Sequence, residues 1–126
     1  YGSVGLTEEQ ARARYDCAVA VARYEDILRP VADGQPEGFC KLIVETTRRQ
    51  IVGAHVLGEY SAEVIQMVAT CMAAGMRIED VAELQFAFPT FTEGVNHAAR
   101  MVVNQLGVRP MPQLWSSLKS TPSILE

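Results

Sequence analysis

Two short apolar stretches on either side of a polar turn constrain the fold of this chain more than any other feature. Residues 38–45 and 50–57 each have the length and the apolar content of a β-strand, and residues 46–49 supply the turn between them. The pattern predicts an antiparallel β-hairpin. Gly53, inside the second strand, indicates a bulge or a close approach by another segment of the backbone.

Further strand and helix patterns lie on both sides of this hairpin. Thr7 and Gln10 have capping-box spacing, Ser61 is predicted to cap a helix, and Gly107 fits a helix C-terminus. The other predicted elements are a strand within 1–5, a helix at about 8–15, a strand at 17–24, a loop at 29–37, and helices at about 62–74, 78–84 and up to 106. This order predicts an α+β fold in which helices pack against an antiparallel sheet.

The composition is that of one ordinary globular domain. The 126 residues include 48% apolar residues and carry a net charge of −4. Because no block of Lys and Arg stands out, we expect no nucleic-acid partner. Because no apolar run approaches the ~20 residues that span a bilayer, we expect no membrane partner either. We expect one domain over residues 1–107 and a separate tail over 108–126, where Trp115 and Leu118 support no assignment.

The cysteines and the first residue indicate where the chain comes from. The three cysteines form no C-x-x-C pair, which favours buried thiols in a reducing compartment and predicts a cytoplasmic protein without a zinc site. The chain begins at Tyr1 without a Met and reads as a strand already under way. We therefore expect it to be a piece of a longer protein.

Few side chains suggest chemistry on their own. His55, between small apolar residues of a strand, is interpreted as a hydrogen-bonded structural histidine. Glu93 and His97 share a helix face, yet a metal site would need further ligands, so no metal is predicted. No G-x-G-x-x-G loop or G-x-S-x-G elbow occurs. The helical methionines are interpreted as core residues: Met67, Met72, Met76 and Met101.

The hexapeptide Phe-Pro-Thr-Phe-Thr-Glu at residues 88–93 separates two helical patterns. Pro89 disfavours a helical conformation at Phe88, and the sequence leaves open whether the bond between them is cis or trans. Thr90 and Glu93 have capping-box spacing, which predicts that they start the following helix together. The residues alone thus indicate a turn that initiates a helix.

Four segments in order give the chain a resemblance to a known family. Residues 3–11, 51–58 and 61–66 resemble the C-terminal dimerisation domain of the pyridine nucleotide-disulfide oxidoreductases, and residues 88–93 align with that family's His-Pro-Thr-x-x-Glu motif. The family includes glutathione reductase, dihydrolipoamide dehydrogenase, mercuric reductase and soluble transhydrogenase. The resemblance covers about residues 2–107 and implies a homodimer whose parent protein binds FAD and NAD(P).

In this family the motif His reaches into the partner subunit beside its flavin and acts as acid/base for thiol chemistry, while the Glu orients it. The resemblance places Phe88 at the His position and Glu93 at the Glu position, with Pro89 and Thr90 near the partner's flavin. Because a phenyl ring has no proton to exchange, no catalytic residue is assigned. The expected function is homodimerisation within a non-thiol flavoprotein, with no catalysis and no cofactor bound by this chain alone.

Two alternatives stay open. In the first, the parent protein is a true disulfide reductase whose acid/base group lies elsewhere, and a Cys-x-x-x-x-Cys pair in the parent would decide this. In the second, the chain is a free-standing interaction module that uses the same fold. The substrate or electron acceptor of the parent is not specified by these residues.

Overall fold

A computed structural model describes residues 1–108, which form four strands and five α-helices. A single 3₁₀ turn at Tyr24–Asp26 follows the second strand. In chain order the elements are β1 (Gly2–Gly5), α1 (Glu8–Arg14), β2 (Cys17–Arg23), α2 (Leu28–Ala32), β3 (Phe39–Glu45), β4 (Gln50–Leu57), α3 (Ser61–Ala73), α4 (Ile78–Glu83) and α5 (Glu93–Leu106). The predicted α+β class is confirmed. The described residues end one position after the predicted boundary at 107. The predicted tail, with Trp115 and Leu118, lies outside them except for residue 108.

The strands form one antiparallel sheet in the order β1-β4-β3-β2. The predicted hairpin of β3 and β4 forms the centre of this sheet. The pairing register of the hairpin shifts between Ile43, which faces Gly53, and Val44, which faces Ile51. A Cβ on Gly53 would lie 2.0 Å from the carbonyl oxygen of Leu6. Both predictions for Gly53, a bulge and a close backbone approach, are therefore confirmed.

The core lies between the sheet and the helices α3, α4 and α5. Alternate residues of β2, Ala20 and Ala22, point into it, because successive strand side chains face opposite sides of a sheet. The helices contribute fully buried valines to the same core: Val64, Val68, Val81, Val95 and Val102. On the opposite face, Glu8 of α1 pairs with Lys41 of β3 at 2.7 Å, which attaches α1 to the sheet.

The helix ends test the capping predictions. Thr7 and Gln10 form the predicted capping box at α1, with hydrogen bonds of 3.2 and 3.0 Å. Ser61 was expected to cap α3, but it is the first residue of that helix, and Tyr60 in the left-handed region precedes it without a side-chain cap. Gly107, with φ near 65°, ends α5 as expected.

Two other predictions need correction. The segment 29–37 was expected to be an irregular loop, yet it contributes most of α2, where Arg29 and Asp33 form an ion pair of 2.8 Å one turn apart. Met101 is exposed on α5, although the other helical methionines pack against the core as predicted. Within residues 1–108 no helix is both long and apolar enough to cross a membrane.

Candidate functional site

The segment between α4 and α5, residues 85–92, carries the most exposed aromatic side chain of this end of the molecule. We call it the Phe88 segment. Phe88 is 69% exposed, and Ala87 and Pro89 beside it are exposed too. The peptide bond between Phe88 and Pro89 is cis, which answers the question that the sequence left open. Phe88 is thus presented to the outside and makes little contribution to the core.

Phe91, three residues later, anchors the segment. It is only 6% exposed, and its ring lies 5.4 Å from that of Tyr24 in an edge-on arrangement and 4.9 Å from that of Tyr60. The Tyr24 hydroxyl donates to the Glu59 carbonyl at 3.0 Å, and burial raises the pKa of Tyr24 to about 12. Tyr24 therefore stays neutral and holds the segment by aromatic packing.

The capping box predicted for Thr90 and Glu93 does not form. The Thr90 hydroxyl donates to the Ala87 carbonyl at 2.6 Å and lies 2.7 Å from the Thr92 hydroxyl. Helix α5 begins at Glu93, after Thr92, and has no side-chain cap. Because the burial of Phe91 fixes the turn before the helix, Thr90 faces back into that turn, away from the first helical N–H groups.

Backbone and charged contacts complete the support of the segment. The N–H groups of Gly94 and Val95 donate to the carbonyls of Phe91 and Thr92 at 3.1 and 2.9 Å. Arg29 of α2 donates through Nη1 to the Pro89 carbonyl at 3.4 Å while its Nε bonds to Asp33. The helix that sequence patterns missed thus lies against the Phe88 segment.

Glu93 lines an open cleft of about 430 Å³. Phe86 and Asn96 share this cleft, and the Asn96 side chain donates to the Ala82 carbonyl at 3.0 Å. No imidazole or thiol is among the residues that line the cleft. The carboxylate of Glu93 is present, but nothing in residues 1–108 uses it to orient an acid/base group.

Exposed apolar side chains from neighbouring segments accompany Phe88. Leu28 of α2, Leu57 at the end of β4 and Tyr60 before α3 are each about half exposed. Their segments meet through the Arg29–Pro89 contact and the Tyr60–Phe91 packing. We call Leu28, Leu57, Tyr60 and Phe88 the apolar end.

The remaining candidates have structural roles. The His55 ring is 2.8 Å from the Tyr1 hydroxyl through Nδ1 and 3.2 Å from the Leu6 carbonyl through Nε2, as a hydrogen-bonded structural histidine should be. Burial raises the pKa of Cys40 to about 12 and raises the pKa of Cys17 and of Cys71 as well. These thiols are not activated nucleophiles. The described part of the chain holds no group of three residues suited to a metal ion.

Sequence reasoning singled out Phe88, Pro89, Thr90 and Glu93 but missed the residues that hold them. The support comes from Phe91, Tyr24, Tyr60 and Arg29, which lie far apart in the sequence. The one usable signal was Phe91 itself, an aromatic residue between Thr90 and Thr92. The positions of the other three depend on the tertiary fold.

Comparison with known proteins bears directly on this arrangement. The profile described as "Pyridine nucleotide-disulphide oxidoreductase, dimerisation domain" matches residues 1–99. The chain is 32% identical over 104 residues to the soluble pyridine nucleotide transhydrogenase of Mycobacterium tuberculosis, covering 82% of this chain and 22% of the relative. It is 32% identical over 99 residues to the mercuric reductase of Shewanella putrefaciens, covering 78% of this chain and 18% of that one. The chain therefore spans about a fifth of the length of these relatives.

Solved structures agree with the fold. The HOCl-induced flavoprotein disulfide reductase RclA from Escherichia coli superposes with a TM-score of 0.76 at 31% identity, over 79% of this chain and 23% of that chain. LpdA from Mycobacterium tuberculosis has a TM-score of 0.73 at 17% identity over 79% of this chain and 22% of that one, which shows the shared fold. By sequence and by fold, the chain belongs to the pyridine nucleotide-disulfide oxidoreductase family and corresponds to the dimerisation domain of its members.

Proposed function

We propose that this chain is the homodimerisation domain of a longer cytoplasmic oxidoreductase that uses FAD and NAD(P), and that it has no catalytic activity alone. The family match over residues 1–99 supports the role, and we place the domain boundary at residue 107. The apolar end supplies surface that a second copy would cover. A two-fold dimer would use the same patch on both subunits.

The observation that carries the proposal further is Phe88 itself. By the motif resemblance it stands where the family has His, and its side chain is 69% exposed on a segment anchored by Phe91. A phenyl ring in this position can fill space beside a partner's flavin but cannot accept or donate a proton. We therefore infer a parent enzyme that transfers hydride between nicotinamides through FAD, without a thiol step. The likeness to soluble pyridine nucleotide transhydrogenase supports this choice.

The residues of this chain fit only a limited role toward the flavin. Phe88 and Pro89 are exposed and offer apolar contact, while the Thr90 hydroxyl is already bonded to Ala87. No G-x-G-x-x-G segment occurs in the 126 residues, so a cradle of that type for the nucleotide phosphates would have to come from the rest of the parent. Bound there, FAD would supply hydride transfer, and this chain would supply the apolar wall.

The experiment compares two activities in the full-length parent. NADPH-dependent reduction of an NAD⁺ analogue measures hydride transfer. NAD(P)H-dependent reduction of a small disulfide substrate measures thiol chemistry. We expect the first activity in the wild type and in Phe88→Leu, which keeps an apolar wall. We expect no disulfide reduction in the wild type or in Phe88→His. Disulfide turnover by the wild type would contradict the proposal.

A second candidate is a disulfide reductase with a relocated acid/base group. The likeness to RclA, a flavoprotein disulfide reductase, at 31% identity favours it. Thiol titration of the reduced and oxidised parent separates the two candidates. Two extra titratable thiols after reduction by NAD(P)H, from a Cys-x-x-x-x-Cys pair, would establish the second candidate, and no change would support the first.

A further inference from the structure

Helix α2 stands on buried residues next to the Phe88 segment. Tyr24 and Ile27, which precede the helix, are almost completely buried, and Pro30 within it is buried too. The ring of Tyr24 packs against that of Phe91, the anchor of the Phe88 segment. A side chain that extends from α2 toward the segment therefore starts from a fixed base.

Arg29 of α2 binds two groups at once. Its Nε donates to Oδ2 of Asp33 at 2.8 Å, and its Nη1 donates to the Pro89 carbonyl at 3.4 Å. A guanidinium is planar and its donors have fixed directions, so the bond to Asp33 also sets the direction of Nη1. The two bonds together connect a helix that is seated on the core with the carbonyl of the residue after Phe88.

Both neighbours of Phe88 are held in place by these and other contacts. On one side, the Ala87 carbonyl accepts from the Thr90 hydroxyl at 2.6 Å. On the other side, proline fixes the φ of Pro89, and the peptide bond between Phe88 and Pro89 is planar. A single rotatable backbone bond, the Cα–C bond of Pro89, therefore separates the carbonyl that Arg29 binds from the Cα of Phe88.

We propose that Arg29, oriented by Asp33, is a positioning residue that holds the Phe88 side chain against the flavin of the partner subunit. This inference rests on the proposed function, in which Phe88 forms an apolar wall beside that flavin. Arg29 acts through the Pro89 carbonyl. Because the Arg29–Asp33 pair is partly exposed, with side-chain exposures of 43% and 36%, it affects the placement of the wall more than the stability of the fold.

The test uses the full-length parent with its flavin bound. Acrylamide quenching of the flavin fluorescence measures how well the wall shields the flavin, and steady-state kinetics of hydride transfer separate kcat from KM. We expect Arg29→Met to increase the quenching and to lower kcat per bound flavin by about two- to fivefold, because a restraint of the strength of an exposed ion pair is lost. The KM for each nicotinamide nucleotide should stay unchanged. A change in KM with kcat and quenching unaffected would overturn the proposal.

A second substitution separates the geometry of Arg29 from its charge. Arg29→Lys keeps the positive charge but has one nitrogen in place of the planar fork, so it cannot hold both partners in the same way. We expect it to increase quenching as Arg29→Met does. Full recovery of wild-type quenching and kcat in Arg29→Lys would overturn the role of the fork.

Arg12 of α1 provides a matched control. Its Nε donates to Oε2 of Glu8 at 2.9 Å, and its Nη1 donates to the Cys17 carbonyl at 3.4 Å, which is the same arrangement of two bonds. Arg12→Met removes the same charge and an equivalent pair of bonds, and it should leave quenching and kcat unchanged. Equal effects of Arg12→Met and Arg29→Met would overturn the proposal, since the loss of any such arginine would then explain the result.

A double-mutant cycle with Phe88→Ala separates this inference from the proposed function. Phe88→Ala removes the wall and should increase quenching by itself, and adding Arg29→Met should then change nothing further. An effect of Phe88→Ala without an effect of Arg29→Met would overturn the positioning role and leave the proposed function intact. No effect of Phe88→Ala would overturn the wall, and the positioning role with it. Additive effects would overturn the positioning role, because Arg29 would then act independently of Phe88.

Discussion

Two helix starts in this domain share one sequence signature and differ in structure. At α1, Thr7 and Gln10 form both hydrogen bonds of a capping box. At α5, Thr90 and Glu93 have the same spacing, yet the threonine hydroxyl bonds back to Ala87, and the helix begins at Glu93 without a side-chain cap. The capping-box spacing therefore predicts the start of α1 correctly and the start of α5 wrongly.

The difference lies in what surrounds each start. The α1 start is exposed and its cap has no competitor, so the local interaction decides the structure. At α5, Phe91 is buried against Tyr24 and Tyr60, and this packing sets the path of the chain before the helix begins. A buried aromatic ring contributes several times the free energy of a single exposed cap. Tertiary packing therefore overrides the capping signal.

The strongest way to break this comparison is to remove the anchor. We expect Phe91→Ala to lower the free energy of unfolding by about 3–5 kcal/mol, because it deletes a buried ring and leaves a cavity. Urea denaturation followed by circular dichroism measures this change. Phe88→Ala, three residues away and exposed in the single chain, should stay within roughly 0.5 kcal/mol of the wild type at concentrations low enough to keep the chain monomeric. Equal effects of the two substitutions would show that Phe91 is not the anchor.

A second prediction contrasts Glu93 with a carboxylate that does bind backbone N–H groups. Glu45, at the hairpin turn, accepts from the N–H groups of Thr47 and Arg48 at 2.8 Å each. Glu45→Ala should cost about 1–3 kcal/mol at neutral pH, because two partly buried donors lose their acceptor. Glu93→Ala should cost at most the roughly 0.3–1 kcal/mol of a charge at a helix N-terminus. A larger loss for Glu93→Ala would reverse the comparison.

The contribution of Glu45 also depends on pH. Burial raises the pKa of Glu45, but the hydrogen bonds from Arg48 and Thr47 together lower it by more, to below its ordinary value of 4.5. A carboxylate with a depressed pKa stabilises the fold above the pKa of the unfolded state and loses that effect as pH falls through the folded-state pKa. The stability difference between wild type and Glu45→Gln should therefore shrink as pH falls below about 4.5. A difference that grows in acid would contradict this sign.

The smallest expected effect is the coupling free energy within each pair of capping-box residues, which tests the difference between the two helix starts directly. A double-mutant cycle between Thr7 and Gln10 should give a coupling free energy of about 0.5 kcal/mol or more, as for residues in direct contact. The matching cycle between Thr90 and Glu93 should give a coupling below about 0.3 kcal/mol. Alanine substitutions and urea denaturation suffice for both cycles. Equal coupling in the two cycles would restore the capping box at α5.

The sequence predicted the elements well where periodicity or local chemistry decides. The hairpin, the bulge at Gly53 and the end of α5 at Gly107 are examples, since each depends on neighbouring residues. Helix α2 was missed because Pro and Gly nearby resemble loop punctuation, and Met101 was misplaced because it lies at the exposed margin of a helix.

The site was only half predictable for the same reason. Phe88 and Glu93 were found by their spacing within a motif, whereas their supports depend on contacts between residues distant in sequence. Arg29 meets Pro89, and Tyr24 meets Phe91, only after the sheet and helices have packed. No local pattern encodes such contacts.

The central claim is that this domain associates with a second copy of itself. Sedimentation equilibrium of the 126-residue chain tests it most directly. The monomer mass is 13.8 kDa, and we predict that the measured mass rises with concentration to twice that value. Tyr60→Glu, which puts a charge into the apolar end, should weaken this association. A mass that stays at 13.8 kDa at every concentration would contradict the account.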